Sequence, residues 1–126
     1  MTITIPVELY SAKNGQQIIY SKKKQRLMVI KKLVAKRQES TLNLLLMANK
    51  RTWDKMIEGK QFPLKVGFYI YRKTRRRWDW INILQGLQDA MVKANYLPDD
   101  NASYLTPYCL GWELDKDKPR VEICVL

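Results

Sequence analysis

The sequence predicts an α+β fold, a single domain in which helices pack on a mixed β-sheet. Residues 2–9 and 64–71 alternate apolar and polar side chains, which is typical of half-buried strands. Residues 80–95 repeat apolar side chains at helical spacing, and strand patterns return over 103–113 and 119–125. The chain has 126 residues, 46% of them hydrophobic, so residues 1–126 can bury one core without disulfides or a structural metal.

The remaining elements follow along the chain. Short strands are expected at 17–20 and 27–31, separated by a lysine-rich connection. One long helix is expected from residue 33 to about 58, because its apolar side chains form a broad face, and the segment 59–63 ends it. The predicted order is therefore β-β-β-α-β-α-β-β, with two main helices on the sheet.

The formal net charge of +11 is distributed unevenly along the chain. Residues 1–77 contain 19 basic and 4 acidic side chains, whereas residues 78–126 contain 4 basic and 8 acidic ones. Such an excess favours a polyanionic partner, and two basic clusters within folded sequence favour nucleic acid over a membrane surface. The candidate DNA-binding residues are Arg72, Lys73, Arg75, Arg76 and Arg77, together with Lys22, Lys23 and Lys24.

The composition also excludes several classes of function. The chain has no histidine, which excludes mechanisms that need an imidazole as base or ligand. Cys109 and Cys124 are too few for a zinc cluster, and we expect reduced thiols packed in strands. No apolar run approaches the ~18 residues of a membrane span, and the N-terminus lacks a signal pattern. The sequence therefore predicts a cytoplasmic protein associated with nucleoid DNA and not with a membrane.

Carboxylates flank the helix predicted over residues 80–95. Asp79 precedes it, and Asp99 and Asp100 follow it. Without histidine, phosphodiester hydrolysis needs hard carboxylate oxygens that hold Mg²⁺, and the ion activates water and neutralises phosphate charge. If the acidic turn folds back along the neighbouring strand, Asp79 and Asp100 can share one ion. Each residue also has a structural interpretation, because Asp79 is suited to a helix N-cap and residues 98–101 to a turn.

The segment over residues 72–101 resembles the RusA family of Holliday-junction resolvases. The motif residues are Arg75-Arg-Arg-Trp-Asp79-x-x-Asn82, then Asp89-Ala-Met-Val-Lys-Ala94, then Asp99-Asp100. The resemblance implies a small homodimeric, Mg²⁺-dependent endonuclease, often encoded by prophages, that cuts four-way-junction or other branched DNA in recombination and repair. It implies catalytic roles for Asp79, Asn82, Asp89 and Asp100, and metal ligation by Asp79, Asp99 and Asp100.

Two positions depart from the family pattern. Ile81 stands where the family has a second carboxylate, and Gln85 stands where it has a lysine. The alternative interpretation is therefore a catalytically weak or inactive protein that binds branched DNA on the same fold. A third interpretation is an RNA-binding domain that stacks bases on Tyr69 and Tyr71.

A dimer interface is expected from the tryptophans, because they offer more aromatic surface than a core of this size readily buries. They are Trp53, Trp78, Trp80 and Trp112.

Overall fold

The computed structural model describes the backbone of residues 1–10, 16–21, 26–31 and 33–126, and the side chains of residues 1–10 and 36–126. Its elements confirm the α+β prediction. They are β1 (Thr2–Ile5), β2 (Gln16–Ser21), β3 (Arg26–Lys31), α1 (Leu33–Ala48), α2 (Lys50–Ile57), β4 (Leu64–Arg72), α3 (Trp80–Lys93), β5 (Leu105–Leu114) and β6 (Arg120–Val125).

Four strands form one mixed sheet in the order β1-β6-β4-β5. β4 pairs parallel with β5 and antiparallel with β6, and β6 pairs antiparallel with β1. β2 and β3 form a separate antiparallel hairpin. Two parallel neighbours cannot be joined by a tight turn, and α3 is the crossover connection between β4 and β5. This β4-α3-β5 unit carries all the candidate site residues of the segment 72–101.

The core lies between one face of the sheet and the helices. Alternate side chains of β4, namely Val66, Phe68 and Ile70, are at most 1% exposed, as strand periodicity predicts. The helices contribute a matching apolar face, which consists of Leu42, Leu46, Trp53, Met56, Ile83, Leu84, Leu87 and Met91. Among the described residues, no helix is long and apolar enough to cross a membrane.

The predicted long helix is two helices, which corrects the expected count. α1 ends at Ala48, and Asn49 adopts φ −100° and ψ 4° before α2 begins. The Asn49 side-chain amide donates a hydrogen bond to the Leu45 carbonyl at 2.8 Å. An asparagine side chain offers the backbone such alternative partners, so the chain can turn here although its apolar spacing stays helical.

Trp53 of α2 is completely buried as a result of this arrangement. Its ring stacks on Tyr96 at a centroid distance of 4.9 Å, and its Nε1 donates to the Tyr96 carbonyl at 2.9 Å. Trp53 therefore adds no exposed aromatic surface, and the expectation that some of the tryptophan surface forms a dimer interface stays a prediction.

Candidate nucleic-acid interface

Asp79 is the N-cap of α3. Its Oδ1 accepts a hydrogen bond from the Ile81 amide at 3.0 Å, and its own carbonyl accepts from the Ile83 amide at 3.1 Å. An acidic cap satisfies an amide that the first helical turn leaves unpaired and interacts favourably with the helix dipole. The structural interpretation of Asp79 is confirmed, and its catalytic role stays a prediction.

The basic run before this cap divides into one buried arginine and four exposed cations. Lys73, Arg75, Arg76 and Arg77 are exposed. Arg72 is only 6% exposed, its Nη1 donates to the Leu9 carbonyl at 2.6 Å, and its guanidinium lies 5.3 Å from the centre of the Trp78 ring. This burial argues against the predicted phosphate contact by Arg72, because the side chain is already committed within the protein.

A shallow cavity of about 210 Å³ opens beside the exposed arginines. It is lined by Trp78, Trp80 and Trp112 together with Arg75, Arg76 and Arg77. The Trp78 and Trp80 rings lie 4.8 Å apart at 52°, and the Trp78 and Trp112 rings lie 5.5 Å apart at 88°. That some of this tryptophan surface forms a dimer interface stays a prediction. The only signal for this cavity in the sequence is that Trp78 and Trp80 directly follow three arginines.

A β-bulge in β5 positions Trp112 at this cavity. Phe68 pairs with Cys109, but the next residue of β4, Tyr69, pairs with Gly111, so Leu110 is an extra residue on β5. Trp112 consequently pairs with Ile70 on the face that carries the core and the helices. Gly111 has φ +152°, and a Cβ added there would lie 2.9 Å from the Tyr69 ring, so glycine suits the bulge.

The acidic residues lie at the other end of α3. Asp99 Oδ1 accepts from the Asp100 amide at 2.8 Å, and Asp99 Oδ2 accepts from the Asn101 side chain at 3.1 Å. Partial burial raises the pKa of the Asp100 carboxyl, and a hydrogen bond with the Asp99 side chain and the charge of Asp89 raise this pKa further. We call these three carboxylates the acidic end, because the charges of Asp89 and Asp99 both act on Asp100.

The structure does not bring Asp79 and Asp100 together within one chain. Asp79 caps the start of α3 and Asn82 lies in its first turn, whereas Asp100 follows the helix and precedes Asn101, whose carbonyl accepts from the Leu105 amide at the start of β5. The 14 residues of α3 span about 21 Å at 1.5 Å per residue. The acidic turn does not fold back along the neighbouring strand, which was the condition for one ion shared by these carboxylates.

The donor set at the acidic end is small. Among the described residues, no three carboxylates or thiols lie close enough together to hold a metal ion. Mg²⁺ keeps several waters and accepts as few as one or two protein carboxylates, so Asp100 with Asp99 or Asp89 fits a weakly held ion. Asp79 of the same chain does not fit this set.

Tyr69 and Tyr71 are engaged in contacts within the sheet. The Tyr69 hydroxyl donates to Glu113 Oε1 at 2.8 Å, and the Arg120 guanidinium lies 3.5 Å from the centre of the Tyr71 ring. These contacts argue against the interpretation of the two rings as a platform for RNA bases.

Two other sets of predicted residues have different outcomes. Cys109 and Cys124 are free thiols in strands, and Cys109 is exposed rather than packed. The predicted DNA contacts Lys22, Lys23 and Lys24 lie outside the described residues.

Comparisons with known proteins give no family assignment, because the chain matches no protein-family model and no curated protein sequence. The RusA resemblance stays a prediction that rests on the motif residues themselves.

Proposed function

We propose that the protein binds branched DNA, such as a four-way junction, through the surface at the N-terminal end of α3. We call this surface the basic end and define it as Arg75, Arg76, Arg77, Trp78, Trp80 and Trp112. The observation that carries the proposal is a cavity that three tryptophans and three exposed arginines line together. Guanidinium groups bind phosphate oxygens in a bidentate manner, and a surface needed only for solubility would interleave both signs of charge.

The charges around α3 differ between its two ends. The Asp79 side chain already caps the N-terminal end of the helix, so attraction of phosphates there depends on the three exposed arginines. At the acidic end the three carboxylates offset the charge of exposed lysines such as Lys93. A DNA arm is therefore attracted more strongly to the basic end than to the acidic end.

Titration of a labelled four-way junction, a Y-fork and a linear duplex at 50 and 200 mM salt tests this proposal. For 6–10 phosphate contacts, the affinity is expected to fall by roughly 10³–10⁵ over this range. We expect the junction to bind more tightly than the linear duplex. A flat salt response, or equal affinity for all three DNAs, would contradict the proposal.

A second candidate function is Mg²⁺-dependent cleavage of the bound junction by a homodimer, as the RusA resemblance implies. The observation that favours it is the position of Asp100 next to Asp99: burial and, to a smaller extent, the charges of Asp99 and Asp89 raise the pKa of Asp100, and a bound cation would offset that negative charge. Asp100 with Asp99 or Asp89 would hold the ion, which would neutralise charge that develops on the phosphate. Under this second candidate function, Asp79 of one chain would complete the site on a second copy of the chain. Two equivalent sites of this kind suit a junction with two-fold symmetry.

Calorimetry with Mg²⁺ and incubation of the junction with Mg²⁺ or EDTA test the second candidate. Ile81 is 76% exposed, so Ile81→Asp adds a carboxylate without disturbing the core. We expect it to strengthen metal binding and raise cleavage, and the addition of Gln85→Lys to raise cleavage further. If none of these proteins binds Mg²⁺ or cleaves the junction, the cleavage candidate is excluded. The remaining function is then that of a catalytically inactive DNA-binding protein.

A further inference from the structure

The cavity at the basic end offers flat apolar surface next to cationic groups. The Trp78 ring is not stacked face to face on Trp80 or on Trp112, since the interplanar angles are 52° and 88°. Trp112 is 40% exposed, an unusual exposure for the largest apolar side chain. The cavity therefore retains ring surface that the protein does not use for its own packing.

We infer that this cavity binds one unpaired nucleobase at the branch point of the DNA, with the base against the tryptophan rings and the flanking phosphates on Arg75, Arg76 and Arg77. The inference rests on the proposed binding of branched DNA and specifies which part of that DNA the site recognises. An unpaired nucleotide combines the two chemistries that the cavity presents, an aromatic plane and adjacent negative charge.

Paired bases do not meet these requirements. In a duplex both faces of a base are covered by its neighbours, and a protein reaches only the edges of the base through the grooves. A cavity of about 210 Å³ has room for one flat group and not for a helix. An unpaired nucleotide at the branch point of a fork enters the cavity more cheaply than one inside a duplex, since it has less stacking and pairing to lose.

The position of Trp112 indicates that it forms part of a binding site and is not only a packing contact. Trp78 and Trp80 pack partly against the core, whereas Trp112 lies on β5, the strand at the edge of the sheet. The bulge at Leu110 brings Trp112 to the same face as the arginine-bearing loop. Bulges of this kind redirect a side chain and are frequent next to functional sites.

Tyr108 provides a matched control for Trp112. Both are aromatic residues of β5 and both are 40% exposed, but Tyr108 pairs with Gly67 and does not line the cavity. The experiment measures the affinity of the wild-type protein, Trp112→Ala and Tyr108→Ala for two DNAs of equal length. One is a fully paired duplex, and the other carries unpaired nucleotides at a fork. Trp112→Leu, which keeps an apolar side chain, replaces Trp112→Ala if thermal unfolding shows that the alanine variant does not fold.

The expected result is a loss of affinity in Trp112→Ala that is confined to the forked DNA. Stacking of one base on an aromatic side chain corresponds to a loss of about 5- to 150-fold. Quenching of tryptophan fluorescence on binding should be stronger with the fork than with the duplex, and it should decrease in Trp112→Ala. Tyr108→Ala should bind both DNAs as the wild type does.

Other outcomes separate this inference from the proposed function. Equal losses on both DNAs, or no loss on either, would overturn the base-binding cavity and leave branched-DNA binding intact. Failure of the wild-type protein to bind any DNA would overturn both. Tighter Trp112-dependent binding to a single-stranded RNA of the same sequence would overturn the assignment to DNA.

Discussion

The two ends of α3 carry opposite chemistry on one short helix. At its beginning, three exposed arginines surround a tryptophan-lined cavity, and the carboxylate of Asp79 is used as a helix cap. At its end, Asp89, Asp99 and Asp100 are neighbours, and their mutual repulsion contributes to the raised pKa of Asp100. In the sequence all these residues fall within one motif-like segment, but the fold separates them by the length of the helix. Residues that form one motif in the sequence therefore lie in two separate groups in the folded chain.

The largest expected effect comes from removing the arginines. In the triple variant Arg75→Gln, Arg76→Gln and Arg77→Gln, DNA affinity should fall by roughly a hundredfold or more, since hydrogen bonds to charged groups contribute about 1.5–3 kcal/mol each. The slope of log K against log[salt] should decrease by about three. Both are measured by titration of the four-way junction at several salt concentrations.

The matched control removes three charges near the acidic end. Lys60, Lys65 and Lys93 are exposed and lie before β4, at its start and at the end of α3. Their replacement by glutamine should change the affinity only slightly. Equal losses in the two triple variants would mean that only net charge matters and that the two ends do not differ in function.

Subunit complementation distinguishes a site within one chain from a site shared by two. Asp79→Asn and Asp100→Asn should each abolish junction cleavage if both carboxylates act in it. If each site is shared, a heterodimer of the two variants keeps one site in which both Asp79 and Asp100 are intact. Half of the dimers in an equal mixture are heterodimers, each with one working site of two. The mixture should therefore recover about a quarter of wild-type cleavage. No recovery from mixed and reassociated subunits would show that each site belongs to one chain.

A smaller effect is expected on stability at the basic end. Asp79→Ala should lower the free energy of unfolding by about 1 kcal/mol through loss of the cap, whereas Asp79→Asn should preserve it because asparagine caps equally well. Chemical denaturation of the two variants measures this difference. Asp79→Asn should bind DNA as well as the wild type or better, since a carboxylate near phosphates is removed. A loss of stability in Asp79→Asn equal to that in Asp79→Ala would contradict the cap.

The smallest effects concern two carboxylates whose pKa values are shifted in opposite directions. The pKa of Asp100 is raised by burial and by its acidic neighbours, whereas the pKa of Asp115 is lowered by hydrogen bonds from Arg120, at 2.8 Å, and from the Lys118 amide. Ionised Asp100 therefore destabilises the folded state at neutral pH, and ionised Asp115 stabilises it.

The thermal unfolding midpoint at several pH values tests this pair. At pH 7, Asp100→Asn should raise the midpoint slightly and Asp115→Asn should lower it. The Asp100 effect should disappear below the ordinary pKa of an aspartate, about 3.9, where the carboxyl is protonated in both states. The Asp115 effect should shrink as the pH falls through the lowered pKa of its folded state. Shifts of the same sign in the two variants would contradict the assignment.

Local chemistry predicted the fold class and most elements correctly. Apolar spacing identified β4 and α3 almost to the residue, because one face of each packs on the same core. It also identified Asp79 as a cap, since that role depends only on the residues that follow. The break at Asn49 was not predicted, because apolar spacing continues across it. The hydrogen bond from the Asn49 side chain to the Leu45 carbonyl depends on the side-chain conformation, which the spacing does not specify.

The site was less predictable because it depends on register. No sequence spacing states whether the turn at Asp99 folds back along the neighbouring strand or continues into β5, and the pairing of Leu64 with Leu105 decides this. The burial of Arg72 was equally hidden, since its partner, the carbonyl of Leu9, is 63 residues away. Simple alternation along β5 would also assign Tyr108 and Trp112 to the same face of the sheet.

Because of the bulge at Leu110, the position of an insertion or deletion in β5 decides which of its side chains face the core side of the sheet. Deletion of Leu110 leaves Trp112 opposite Ile70, since the strand merely loses its extra residue. Insertion of one residue after Gly111 instead sets Trp112 opposite Tyr71 and Glu113 opposite Arg72. The cavity then loses one of its aromatic walls, and a carboxylate moves to the face that carries the arginine loop. A single inserted codon would thus remove one aromatic side chain from the cavity and reduce the positive charge around it, while leaving the composition of the strand almost unchanged.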